Sequence, residues 1–87
     1  MIPSFKVTRT EKEFTIFVHD DPVAENVQNF TAKIVMEAVK NNLYFCTSTD
    51  SNNMRFIRVV GPVKKLDSFE EFVERIAWKL NIGIYYR

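Results

Sequence analysis

Cysteine is nearly absent from this chain, with one residue, Cys46, among 87. A single cysteine forms no intrachain disulfide and cannot build a cysteine-rich zinc site. Set inside the apolar run 43–47 (LYFCT), it reads as a small buried hydrophobe in a reducing compartment. Glycine is also scarce, at two residues, against a usual share of about 7%. That leaves no glycine-rich cradle for a phosphate or dinucleotide. One histidine, His19, excludes His-rich metal sites and His–His relays. No run approaches the ~20 apolar residues that span a bilayer. The opening MIPSFKVTRTEK has no apolar segment of signal-peptide length, so a cytoplasmic protein with no membrane partner is expected. Charge of one sign is lacking too: 12 Lys and Arg face 11 Asp and Glu. An electrostatic partner would have to be held by a local patch.

What is present is a large apolar payload. Hydrophobic residues make up 46% of the chain, with eight Phe, three Tyr and one Trp. This suits a single domain, residues 1–87, whose small core must be packed efficiently.

Residues 5–10 (FKVTRT) alternate apolar and polar, as a half-buried strand does. Glu11-Lys12-Glu13 interrupts, and 14–19 (FTIFVH) resumes with Phe14, Ile16 and Val18 on one face. A hairpin is expected, although the Asn-Gly and Asp-Gly signals of the tightest turns are missing. Asp21 and Pro22 read as N-cap and first residue of a helix. Val23, Val27, Phe30, Ile34 and Ala38 carry it at helical spacing to about Lys40, and Asn41-Asn42 stops it. Strands follow over 43–47 and 54–60, the second ended by Gly61-Pro62. Asp67-Ser68 reads as the start of a last helix, with Ser68 and Glu71 as a capping box. Its stripe is Phe69, Phe72, Val73, Ile76, Ala77 and Leu80, with Gly83 as C-cap. The closing IYYR is either a fifth strand or a packed tail.

The pattern predicts an α+β domain in the order ββαββα: a four- to five-stranded, mainly antiparallel sheet with two helices on one face. If the last strand forms, residues 14–87 have the ferredoxin-like order β-α-β-β-α-β. The last strand and strand 5–10 would then compete for the place beside strand 14–19. The local hairpin is favoured, because it costs less loop entropy.

Sets that could carry chemistry are few. In His19-Asp20-Asp21, neighbouring strand side chains point to opposite faces, and Asp21 is explained as a cap. Thr47, Ser48, Thr49 and Ser51 flank Asp50 without a nearby base, and such clusters are usually turns. GIYYR shares its first letters with the GIY-YIG nuclease motif, but the motif's second half and metal-binding acid do not follow. Acylphosphatases have this size and a ferredoxin-like order, but their phosphate loop needs glycines where this chain reads HDDPVAEN. Asn29-Phe30-Thr31 matches the N-glycosylation pattern by chance, with Phe30 on a core face. No catalytic residue, metal or cofactor is therefore expected, and no small-molecule substrate.

Three features suggest binding. Arg55, Phe56, Arg58, Lys64 and Lys65 cluster within eleven residues, in the manner of a sheet that stacks bases beside cations. Trp78 falls almost opposite the last helix's apolar stripe, as an interface anchor would. Val35 and Val39 widen the apolar arc of the first helix beyond what one core needs. The expected function is a small non-enzymatic regulatory or inhibitory protein acting by protein contact, self-association included. The alternative is RNA or DNA binding through the sheet face and the 55–65 segment.

Overall fold

The computed structural model describes residues 4–18, 25–52 and 54–86. In chain order these form β1 (Ser4–Arg9), β2 (Glu13–Val18), α1 (Glu25–Lys40), β3 (Tyr44–Thr49), β4 (Arg55–Val60), α2 (Val63–Lys79) and β5 (Gly83–Tyr86). The fold is α+β, with one five-stranded mixed sheet in the order β3-β4-β2-β1-β5. The pairs β1–β2, β2–β4 and β3–β4 are antiparallel, and β1–β5 is parallel.

The contest for the place beside β2 goes to β1. The last strand does form, and it adds outside β1, with Phe5 opposite Ile84. Two strands thus remain with one open edge each, β3 and β5.

Alternation along the strands builds the core. Phe5 and Val7 of β1, Phe14 and Ile16 of β2, and Ile57 and Val59 of β4 are buried on one face. Val27, Phe30, Ile34 and Ala38 of α1 meet them there, with Leu66, Phe69, Val73 and Ala77 of α2. Phe5 and Phe30 lie 5.2 Å apart between ring centroids, and Phe14 meets Phe69 edge-on at 5.7 Å. Contacts of this geometry add about 0.5–1.5 kcal/mol each beyond area burial.

The helix ends differ from the expectations in instructive ways. The proposed Asp21 cap and Pro22 start lie outside the described residues. α2 begins at Val63 behind Pro62, so Ser68 and Glu71 lie inside the helix and form no capping box. The Leu66 N–H already donates to the Pro62 carbonyl at 2.9 Å, and buried Leu66 extends the apolar stripe one turn earlier. Proline at the cap left no side-chain signal. Gly83 is not the C-cap but the first residue of β5. The left-handed residue is Asn81, with φ 59°, as Asn42 is after α1, with φ 57°. In both places the next residue, Ile82 or Leu43, donates back to the helix (Ala77 or Ala38 carbonyl) and buries its side chain. This is the same Asn-based Schellman stop used twice.

Candidate functional site

A pocket of about 310 Å³ opens where α1 passes the far end of the β3–β4 hairpin. It is lined by Thr31 from the second turn of α1, by Thr47, Ser48 and Thr49 of β3, and by Arg55, Phe56 and Ile57 of β4. Strand register assembles it: Thr47 is opposite Ile57, Ser48 opposite Phe56, and Thr49 opposite Arg55. Val18, the last residue of β2, has Arg55 as its Cα partner on the other side. The hairpin loop is held by Asp50, whose Oδ1 accepts the N–H groups of Asn52 and Met54 at 2.8 and 2.9 Å. The Asp50 N–H in turn donates to the Met54 carbonyl at 2.9 Å. The polar run that the sequence reads as a turn is a turn only from Asp50 onward. Its three preceding hydroxyl residues belong to β3 and to the pocket wall. In the sequence Thr31 figures only as the end of a chance glycosylation pattern. Nothing local marks it, because its partners are sixteen or more residues away.

Cys46 does not join this pocket. Phe45 packs on the core, so its neighbour Cys46 projects from the helix-free face, where its Cα partner is Arg58. The thiol is half-buried and free. His19 lies outside the described residues. Among the described residues, no group of three or more acidic, Cys or His side chains could hold a metal ion.

The five residues of the expected basic strand are dispersed. Phe56 and Arg58 do share the helix-free face. Phe56 is half-buried against Phe17 (5.9 Å between centroids), and the Arg58 guanidinium sits over the Phe56 ring at 5.2 Å. Lys6 covers Phe17 in the same way at 4.3 Å. Arg58 also stands 3.9 Å from Glu13, a loose pair with both side chains 45% exposed. Arg55, at the other end of β4, is about 17 Å of strand from Val60. Lys64 and Lys65 belong to the first turn of α2 on the opposite side of the sheet. Lys65 is engaged there, donating to the Asn41 carbonyl at the end of α1 at 3.1 Å.

Trp78 is 84% exposed, and the tail does not fold over it, because that tail is β5. Val39 is exposed, as is Met36 beside it, whereas Val35 packs against the core. Part of the wide apolar arc of α1 is therefore absorbed within the domain.

A second polar cluster ties β1 and β5 to α2. Arg9 Nη1 lies 2.7 Å from Glu70 Oε1 and 2.9 Å from Asp67 Oδ1. The Tyr86 hydroxyl donates to Glu70 Oε2 at 2.6 Å and to Glu74 Oε2 at 2.9 Å. Burial would lower the Arg9 guanidinium, but its bonds and charge interactions with Glu70 and Asp67 outweigh this and raise it. Burial first, then the two carboxylates, push the Tyr86 phenol far above its ordinary value of 10. Neither group is in the pocket, and the cluster serves to lock the sheet edge to the helix.

The architecture defines a class before it suggests a chemistry: a small α+β sheet with a pocket beside an open edge strand. Two solved structures share the fold. One is the essential ribosomal processing protease Prp from S. aureus in complex with a covalently linked product peptide. It matches at TM-score 0.54 and 17% identity over all of both chains. The other is the same protease with a substrate peptide, at TM-score 0.55 and 12% identity, covering 97% of this chain and 96% of that one. At these identities it is the fold that is shared. No family model matches the chain, and no curated protein matches it significantly.

These neighbours correct the functional expectation. The sequence, through its missing catalytic sets, Trp78 and the wide apolar arc of α1, points to a non-enzymatic regulator or inhibitor, with a nucleic-acid reader as the alternative. The fold is instead that of solved chains that are proteases crystallised with peptides. Neither nucleic acid nor self-association is named for those structures. Among the described residues no helix is long and apolar enough to cross a membrane.

Proposed function

We propose that this chain is a peptide-processing hydrolase whose substrate lies along the open edge of β3, with the reacting bond at the Thr31 pocket. The observation that carries this reading is the coincidence of a hydroxyl-lined pocket with an unpaired sheet edge, on a fold shared with peptide-bound proteases. An edge strand offers backbone donors and acceptors that an extended peptide satisfies by adding as a sixth strand. Side chains of such a peptide alternate, so every second one is turned toward α1.

One of the two neighbours holds its product peptide covalently, and a covalent route needs a nucleophile. Among the described pocket-lining residues the nucleophilic groups are hydroxyls. Thr31 is the one on the helix facing β3, and it takes that role. A hydroxyl needs a base. The chain has one imidazole, His19, directly following Val18 in sequence, and it enters on chemistry alone. In this scheme Thr31 Oγ1 attacks the peptide carbonyl as its proton passes to His19. The amine leaves with that proton, and water then hydrolyses the ester.

The test is incubation of the purified chain with a proteome-derived peptide library, with new termini read by mass spectrometry. Cleavage that disappears in Thr31→Ala supports the reading. A product profile identical to that of Thr31→Ala disposes of it.

A further inference from the structure

Among the described residues, the pocket beside β3 carries one charged side chain, and that charge is positive. Thr31, Thr47 and Thr49 supply hydroxyls that both donate and accept, and among the described residues no carboxylate lines the space. Asp50, the acid nearest in sequence, is oriented into its own loop by Asn52 and Met54. Arg55 is exposed and makes no ion pair among the described residues. Among the described residues, the other arginines are occupied. Arg9 is held by Asp67 and Glu70, Arg58 lies between Glu13 and Phe56, and Arg75 sits over Phe72. An exposed guanidinium presents a planar fork that matches a carboxylate in two parallel hydrogen bonds.

We infer that the pocket selects an acidic side chain, Asp or Glu, in a peptide paired along β3. This rests on the peptide reading above and adds its specificity. Register supports the placement. A peptide residue opposite Thr47 or Thr49 projects to the same face as those threonines, toward Thr31 and Arg55. The carboxylate meets the Arg55 fork while its remaining lone pairs accept from the threonine hydroxyls. The volume of about 310 Å³ accommodates such a side chain with its solvent. A neutral amide of the same shape would lose the charge-assisted bonds.

The experiment uses two pools of terminally blocked, fluorescein-labelled hexapeptides. They are degenerate at five positions and fixed at the fourth as Glu in one pool and Gln in the other. Fluorescence anisotropy is read on mixing with the full chain, and hydrolysis of the same pools is followed in parallel. The Glu pool is expected to bind about tenfold more tightly, the scale of one charge-assisted hydrogen bond. That preference should weaken with added salt and vanish in Arg55→Gln, whose exposed position keeps the fold intact by circular dichroism. Arg55→Lys, which keeps the charge without the fork, should retain part of it. Equal binding of both pools overturns the inference, as does a preference that survives Arg55→Gln. If both pools are cleaved without preference, the hydrolase reading stands and this one falls. If neither is bound nor cleaved, both fall.

Discussion

Arg9 and Tyr86, at opposite ends of the sequence, grip the same carboxylate: Glu70 Oε1 receives the guanidinium at 2.7 Å and Oε2 the phenol at 2.6 Å. Their strands, β1 and β5, are parallel neighbours at one edge of the sheet. Glu70 thus fastens two strands to one turn of α2.

This shared carboxylate sets an alkaline limit. The Tyr86 phenol is raised above its ordinary value of 10 in the folded chain. Its neutral form is favoured by folding, so its contribution is complete below pH 10. It is lost as pH rises from there toward the folded value. Thermal unfolding followed from pH 8 to 11 should show a falling Tm above pH 10. That fall should be shallower in Tyr86→Phe. At pH 7 the same substitution should cost about 1 kcal/mol or less, since the residue is partly exposed. Identical slopes for the two proteins would remove the phenol from the account.

Removing the guanidinium is more damaging. The side chains of Arg9 and Glu70 are only 16% and 21% exposed. Arg9→Met leaves Glu70 poorly solvated beside a lost partner and should destabilise by about 1–3 kcal/mol. Urea unfolding measures it, and the loss should shrink when Glu70→Gln is added.

Gly61 is required for space rather than for backbone conformation. A Cβ built there runs into the Leu43 side chain, which is itself buried. Gly61→Ala should cost about 1–3 kcal/mol by overpacking. Leu43→Val withdraws the obstructing methyl carbon, so the double variant should be more stable than the sum of the single losses predicts. Strict additivity in denaturant titrations would contradict the contact.

For the proposed chemistry, Thr31→Ala and His19→Ala should each reduce peptide cleavage by about 10²-fold or more while leaving the unfolding midpoint nearly unchanged. Cys46 projects from the other face of the sheet, so Cys46→Ser and thiol alkylation should leave turnover intact. Loss of cleavage on alkylation alone would move the nucleophile to the thiol.

The sequence exposes much of this fold, because periods of two and of 3.6 residues are direct images of buried faces. Phe14 and Ile16, or Phe30 and Ile34, announce their elements. The start of α2 was hidden by Pro62, which caps without a side-chain signal, while Ser68 and Glu71 imitated a cap inside the helix. The site was far less legible. Thr31, Thr49 and Arg55 are brought together by hairpin register and by the path of α1 over the sheet. No short motif records that meeting. The basic cluster shows the converse: Arg55 and Lys64 are close in sequence, but one opens β4 and the other lies in the first turn of α2.

The pairing of β5 outside β1 also orders events in time. Phe5 and Ile84 are partners separated by nearly the whole chain. Contacts of such sequence separation are slow to close, because the intervening chain must be gathered first. During synthesis, the outer edge of β1 stays open until β5 is made. The nascent domain thus passes its most association-prone interval with β1 uncovered, and addition of four residues, Gly83 to Tyr86, ends it.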